Sequence, residues 1–254
     1  MQYAICKVPA APVRKRSSHR SEMVNQVLFG EAMLVLKEKK KWTRVRTLFD
    51  KYEGWLTIRQ LEEIDEITAK TFNPWVTTDL LSTIEFANHN MYIPFGSSLP
   101  GFDGSGGKFG NIEYRFRGNK RKRNEISPNA ELVEKFSKQW INAPYLWGGR
   151  TILGVDCSGF AQIIFKMLGI DLPRDAWQQA QEGKPVKKIK DTIAGDLAFF
   201  DDKEEIVHVG ILLNNEQIIH ASGKVRIDAI TKKGIINSDT GKRTHRLRAI
   251  RRNW

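Results

Sequence analysis

Cysteine is scarce in this chain, with Cys6 and Cys157 the only two in 254 residues. They could form at most one disulfide, which excludes a disulfide scaffold, and a bridge would silence any nucleophile, so both thiols are expected free. A structural zinc site is excluded too. The two cysteines lie too far apart for ligand spacing, and no His-x-x-x-His or His-Glu-x-x-His motif occurs. Long apolar runs are also missing, and nothing approaches the length needed to cross a membrane, so membrane insertion is not expected. The first residues, Met1 to Lys7, lack a basic stretch followed by an apolar one, which is neither a secretory signal nor a lipoprotein leader. A cytoplasmic protein is expected if Met1 is the natural start, and a periplasmic or cell-surface one if a leader has been removed. Acidic residues are outnumbered, 29 against 41 basic, giving a net charge of +12. The runs Lys37–Lys41 and Arg115–Arg123 invite a nucleic-acid reading, but such blocks are ordinarily solvated hairpin tips. No nucleic-acid partner is expected. A basic protein instead attracts small acidic substrates.

With 41% hydrophobic residues the chain can bury sizeable cores. Residues 1 to 64 read as short strands between polar turns: Val27–Glu31, Ala32–Leu36, Trp42–Arg46 and Tyr52–Leu56. Strands so short and closely spaced predict a small barrel. Residues 65 to 125 carry further strand-like runs, Leu81–Phe86, Met91–Phe95 and Ile112–Phe116, and are read as a second small barrel or linking β region. Its glycine-rich stretch, Gly101–Gly110, is no phosphate loop, because Gly106-Gly107-Lys108-Phe109 lacks the hydroxyl residue after lysine and no apolar helix follows. From Asn129 to Trp140, Leu132, Val133, Phe136 and Trp140 recur at helical spacing after the entry signal Ser127-Pro128. A second helix, Phe160 to Leu168, buries Phe160, Ile163, Ile164, Met167 and Leu168. Leu197–Phe200, Val207–Leu213 and Gln217–Ala221 then predict an antiparallel sheet, with Asn214-Asn215 as a hairpin turn.

Cys157 stands where that second helix begins, in Val155-Asp156-Cys157-Ser158-Gly159-Phe160. Unpaired N–H groups and the positive helix end favour a thiolate there, the form that attacks a carbonyl carbon. Two strand-like segments supply histidines, His208 and His220, each expected to project from a sheet face toward the helix carrying Cys157. Nucleophile, base and orienting group in that order are the logic of a cysteine peptidase. His19, His89 and His245 have no such context and are read as surface residues.

Six ordered blocks now resemble a known family. Tyr145-Leu146-Trp147-Gly148-Gly149, Asp156-Cys157-Ser158-Gly159-Phe160, Leu172-Pro173-Arg174-Asp175, Gly195 to Phe200, His208-Val209-Gly210-Ile211 and His220-Ala221-Ser222 are similar to the signature of the NlpC-type papain-like cell-wall peptidases, over residues 126 to 254. Gln26 to Glu31, Lys41 to Val45 and Tyr52 to Trp55 look like a bacterial SH3-type domain. The implied fold is α+β: a papain-like C-terminal domain, helices on an antiparallel sheet, preceded by small all-β SH3-like barrels. The domains are 1–64, 65–125 and 126–254. Ala176 stands where the family often has serine or threonine, which removes one possible substrate hydrogen bond.

The resemblance implies that Cys157 attacks, His208 manages the proton and His220 fixes the His208 ring, though a neutral histidine stabilises a charged partner less than a carboxylate would. It implies that Tyr145 faces the nucleophile and either places the substrate or, with the Cys157 N–H, assists the oxyanion, and that Trp147, Asp156, Ser158, Arg174 and Asp175 bind substrate. The implied reaction is hydrolysis of the γ-D-glutamyl to diamino-acid bond of murein peptides. A free N-terminal L-alanine would be recognised through Tyr52, Asp156 and an acidic residue before the Gln26 block, of which Glu22 is nearest. That selectivity would suit wall recycling. No cofactor is implied, and no oligomeric state is assigned. An amidase or acyltransferase on the same scaffold, or an inactive wall-binding module, is the alternative.

Overall fold

The computed structural model describes residues 2–71 and 73–254, and the chain divides into two compact units, 1–125 with 147–152 and 126–146 with 153–254. Seven strands open the first unit: β1 (Tyr3–Cys6), β2 (Ala10–Arg14), β3 (Met23–Leu28), β4 (Ala32–Lys39), β5 (Trp42–Thr47), β6 (Glu53–Thr57) and β7 (Leu61–Ile64). They form one antiparallel sheet in the order β3-β2-β6-β5-β4-β1-β7. Sequence alternation reveals β4, β5 and β6, meets β3 only at Val27 and Leu28, and misses β1, β2 and β7. The reason is clearest in β1, which is buried at every position. Ala4 and Cys6 join Val13, Val27, Met33 and Val45 on one side, while Tyr3 and Ile5 join a second cluster on the other. A strand covered on both faces has no polar alternation to read. β2 contains Pro12, which argues against a strand from sequence alone.

After α1 (Glu66–Lys70) come β8 (Trp75–Thr77), β9 (Leu81–Glu85), β10 (Asn90–Pro94), β11 (Gly106–Phe109), β12 (Ile112–Arg117) and β13 (Lys120–Lys122). They pair as a four-stranded sheet, β10-β9-β12-β11, and a ladder of β13 with β8. Ile84, Ile93, Phe109, Tyr114 and Phe116 enter the same cluster as Tyr3, Ile5, Phe29 and Ile64, so residue 65 marks a change of sheet inside one core. The glycine-rich stretch connects and forms strands: Gly101 has φ +63°, and a Cβ there would collide with the Lys108 carbonyl. Lys37–Lys41 caps the β4–β5 hairpin, and Lys120 lies 5.1 Å over Phe102 and 5.6 Å over Phe116. The one aromatic interleaved in that basic run, Phe116, therefore already has a cationic partner within the unit.

The chain returns to this unit at Trp147 and contributes the short β14 (Arg150–Thr151). Arg150 is 1% exposed and makes a bidentate pair with Glu31, at 2.9 and 3.0 Å. Gly148 has φ +77°, and a Cβ there would sit 2.7 Å from the Met23 carbonyl oxygen, so only glycine fits.

The second unit contains α2 (Ala130–Lys138), β15 (Gly154–Val155), α3 (Cys157–Met167), α4 (Ala176–Gln179) and seven further strands. These are β16 (Lys184–Pro185), β17 (Leu197–Asp202), β18 (Glu205–Leu212), β19 (Gln217–Ser222), β20 (Lys224–Thr231), β21 (Gly234–Ile236) and β22 (Arg243–Arg252). Their order is β16-β22-β17-β18-β19-β20-β21, and β21 also pairs with β22, so six strands close into a barrel. Closure depends on the length of β22. Its first part, Arg243–Arg246, pairs with β21, and the rest runs along β17. Ala198, Phe200, Leu212, Ile218, Ile230, Ile235 and Ile250 fill the inside. The opposite parity, Phe199, Val209, Ile211 and Ile219, is also buried, and α3 packs on β18 and β19 from that side. Asn129 caps α2, accepting the Leu132 N–H at 3.0 Å, and Trp140 meets Phe160 of α3 edge to face at 5.8 Å. The two helices pack against each other.

Candidate active site

The start of α3 is fixed by a local cap and a buried cation. Asp156, the N-cap residue, accepts the Gly159 N–H at 2.7 Å through Oδ1. Its Oδ2 accepts from Arg174 at 2.6 Å, and the same guanidinium donates to the Ser158 hydroxyl at 2.8 Å. Gln179 holds the Ser158 carbonyl at 3.1 Å. Arg174, Asp156 and Ser158 are all buried, so the structure places them as the frame that sets the backbone of Cys157. Asp175 precedes α4, where its N–H donates to the Gln178 side chain at 3.3 Å.

Cys157 is the first residue of α3 and only 6% exposed. Burial pushes its thiol up to about 12, and the Asp156 charge adds to this, while backbone hydrogen bonds from Val209 and Ser158 and the Arg174 charge oppose it. This corrects the sequence-based expectation of a standing thiolate: the cost of burying the charge exceeds what the helix start returns. Cys6, at 0% exposed, is also pushed up to about 12, mainly by burial. Alkylation by iodoacetamide should therefore be slow at neutral pH for both thiols and should rise for Cys157 as pH climbs toward 10. Peptide mapping after timed labelling checks this, and a rate plateau near pH 7 would contradict it.

Strand parity decides where the histidines go. His208 pairs with Phe200 and shares the inner barrel face with Leu212 and Ile218, as does His220, rather than the face that takes α3. Gly210 makes room for this. A Cβ there would lie 2.6 Å from Ile218 and 2.9 Å from the His220 Cβ. His208 is one residue from Val209, whose backbone bonds the Cys157 sulfur.

The imidazoles form a chain. His208 Nε2 lies 2.8 Å from His220 Nδ1, and His220 Nε2 lies 3.0 Å from Asp228 Oδ2. Asp228 Oδ1 accepts from Arg226 at 2.9 Å and from the Ser238 N–H and hydroxyl at 2.9 and 2.8 Å. Burial alone would raise the Asp228 carboxyl, but hydrogen bonds from His220, Ser238 and Arg226 outweigh it and hold it below the usual carboxylate range. Burial, then the charges of His220 and His245, lowers His208 well below an ordinary histidine. His245 is no surface residue: it stacks on His208 with centroids 4.3 Å apart, and burial brings it down to about 4. Neither Asp228 nor His245 stood out in the sequence. An aspartate amid the β-formers of β20 was the available signal.

Tyr145, 36% exposed, is held by its N–H to the Gly223 carbonyl at 3.0 Å. Burial raises its hydroxyl, with Cys157 and Asp156 adding to the effect, which sets the phenol in the electrostatic range of the thiol. In the first unit, the Trp147 indole donates to Glu22 at 2.9 Å, so Glu22 is joined to one of the expected site residues. Tyr52 sits in the turn before β6, with its N–H on Thr47 Oγ1 at 2.9 Å. Among the described residues no cluster of His, Cys, Asp and Glu has the arrangement of a metal site.

Comparison with known proteins agrees with this geometry. Residues 142–244 match the NlpC/P60 family and residues 13–61 match the bacterial dipeptidyl-peptidase SH3 domain. A Bacillus subtilis (strain 168) protein named gamma-D-glutamyl-L-lysine dipeptidyl-peptidase is 32% identical over 214 residues, covering 77% of this chain and 71% of the relative. A protein of the same name from Bacillus cereus (strain ATCC 10987 / NRS 248) is 27% identical, over 90% of this chain and 77% of its own. The crystal structure of a NlpC/P60 family protein from Bacillus cereus ATCC 10987 has the same fold, with a TM-score of 0.84 at 20% identity, covering 98% of this chain and 99% of the other. With its capped cysteine helix, its paired histidines on a closed sheet and its SH3-like β region, this chain belongs to the NlpC/P60 family and is a cysteine peptidase of the cell-wall class.

Proposed function

We propose that the protein hydrolyses the γ-D-glutamyl to diamino-acid bond of murein peptides that carry a free N-terminal L-alanine, a substrate generated when cell wall is recycled. The reading is supported by the imidazole chain that begins one residue from the backbone group bonding Cys157. The bond itself is suggested by the names of the two Bacillus relatives.

In this reading the Cys157 sulfur attacks the γ-carbonyl carbon while His208 removes the thiol proton. A neutral thiol beside a neutral imidazole makes the two events concerted, because neither charged form is stable alone in the buried site. The oxyanion is stabilised by the Cys157 N–H, with the Tyr145 hydroxyl as second donor. His208 then gives its proton to the leaving diamino-acid nitrogen as the C–N bond breaks. Water, deprotonated by His208, cleaves the thioester, and the proton returns to the sulfur.

The test is mass spectrometry of L-Ala-γ-D-Glu-L-Lys and its diaminopimelate counterpart after incubation. Release of the free diamino acid together with L-Ala-γ-D-Glu is expected. N-acetylation should lower the rate at least ~10-fold, since leaving charged recognition groups desolvated and unpaired costs more than about 1.4 kcal/mol. Equal rates on free and acetylated peptides would refute the selectivity, and unchanged peptide would refute the reaction.

A further inference from the structure

Asp228 occupies a position no simple structural role explains. It is 2% exposed, lies on β20 opposite Ile218, and its two carboxylate oxygens are divided between different tasks. Oδ2 faces His220 alone among its hydrogen-bond partners, while Oδ1 takes three donors, from Arg226 and from the Ser238 N–H and hydroxyl. An ionised carboxylate only accepts. We infer that Asp228 is the positioning residue that sets the proton order of the whole chain, so that His208 presents a bare Nδ1 to the thiol. The steps follow from valence. His220 must donate from Nε2 to Asp228, which leaves the Nδ1 of a neutral His220 with a lone pair. That lone pair accepts the His208 Nε2–H, and the remaining His208 nitrogen, Nδ1, is then unprotonated and free to act as base. His220 transmits this order, and Asp228 originates it. Arg226 and Ser238 keep the carboxylate ionised and prevent it from turning.

The isosteric change Asp228→Asn separates this role from packing. The amide oxygen must remain where Oδ1 was, because the Arg226 and Ser238 donors would face an NH₂ group unfavourably. The amide NH₂ therefore lands against His220 Nε2 and inverts the chain: His220 carries its proton on Nδ1 and donates to His208 Nε2. The His208 proton then sits on Nδ1, the atom meant to receive the thiol proton. In this variant kcat should fall about 100-fold or more with KM within about threefold, as expected for an imidazole held in the wrong tautomer.

The inference rests on the proposed role of His208 as base, but its decisive measurement needs no substrate. Nitrogen-15 NMR of histidine-labelled protein reads which ring nitrogen carries the proton. The wild type should show His208 protonated on Nε2 and His220 on Nε2, and Asp228→Asn should show both protonated on Nδ1. A wild-type His208 protonated on Nδ1 overturns the inference even if the variant fails to fold. So does an Asp228→Asn enzyme with activity within about threefold of wild type. A wrong substrate assignment would leave the tautomer result unchanged and would show itself only as absent turnover in the wild type.

Discussion

Cys157→Ala and His208→Ala should each lower kcat/KM by on the order of 10⁴–10⁶-fold, and the double variant should lose no more than either single one, because nucleophile and base act as a unit. His220→Ala should cost less, since thiol and base remain and only their orientation suffers. The pH profile gives an independent reading of the same pair. With burial as the main cause, and the charges of His220 and His245 adding to it, the folded His208 holds its proton well below the ordinary histidine range. The base form therefore survives as pH falls, and activity is lost only on protonation of His208. The acid limb of kcat/KM should consequently lie well below pH 6.5. A limb at 6.5 or above would show a solvated base, and wild-type turnover by Cys157→Ala in the presence of reductant would remove the mechanism altogether.

The second large effect is on stability. Arg174→Met should destabilise the protein by roughly 3–5 kcal/mol, because it leaves the buried Asp156 carboxylate without its cation. Arg174 and Asp156 side chains are 1% and 6% exposed, and they meet at 2.6 Å. Arg174→Lys should recover little. One ammonium cannot reproduce a planar fork that donates to Asp156 and to Ser158 at once. Urea denaturation measures the loss, and a change below about 1 kcal/mol would show the pair to be as weak as a surface ion pair. Activity should fall along with stability, since Asp156 caps the helix whose first residue is Cys157.

The sequence by itself determined the local elements of the site. A capping residue followed by small residues and an apolar run specifies where α3 begins and therefore the backbone setting of Cys157. Alternating β-formers around His208 and His220 specify strands, and Asn129 marks the start of α2. Blocks in fixed order were enough to suggest the family. Tertiary structure decided what these elements do to one another. Whether a strand histidine faces the helix or the barrel interior depends on register, and here Gly210 and the pairing of β18 with β17 and β19 set both imidazoles inside. Asp228 reaches His220 because β20 lies beside β19, and His245 reaches His208 because β22 closes the barrel, a contact across 37 residues of sequence that no local pattern encodes. Likewise β1 could not be read from alternation, because both of its faces are covered. The chemistry of the thiol was decided last: a helix start favours the thiolate, but the desolvation imposed by packing around Cys157 is larger, and only the folded chain brings that packing about.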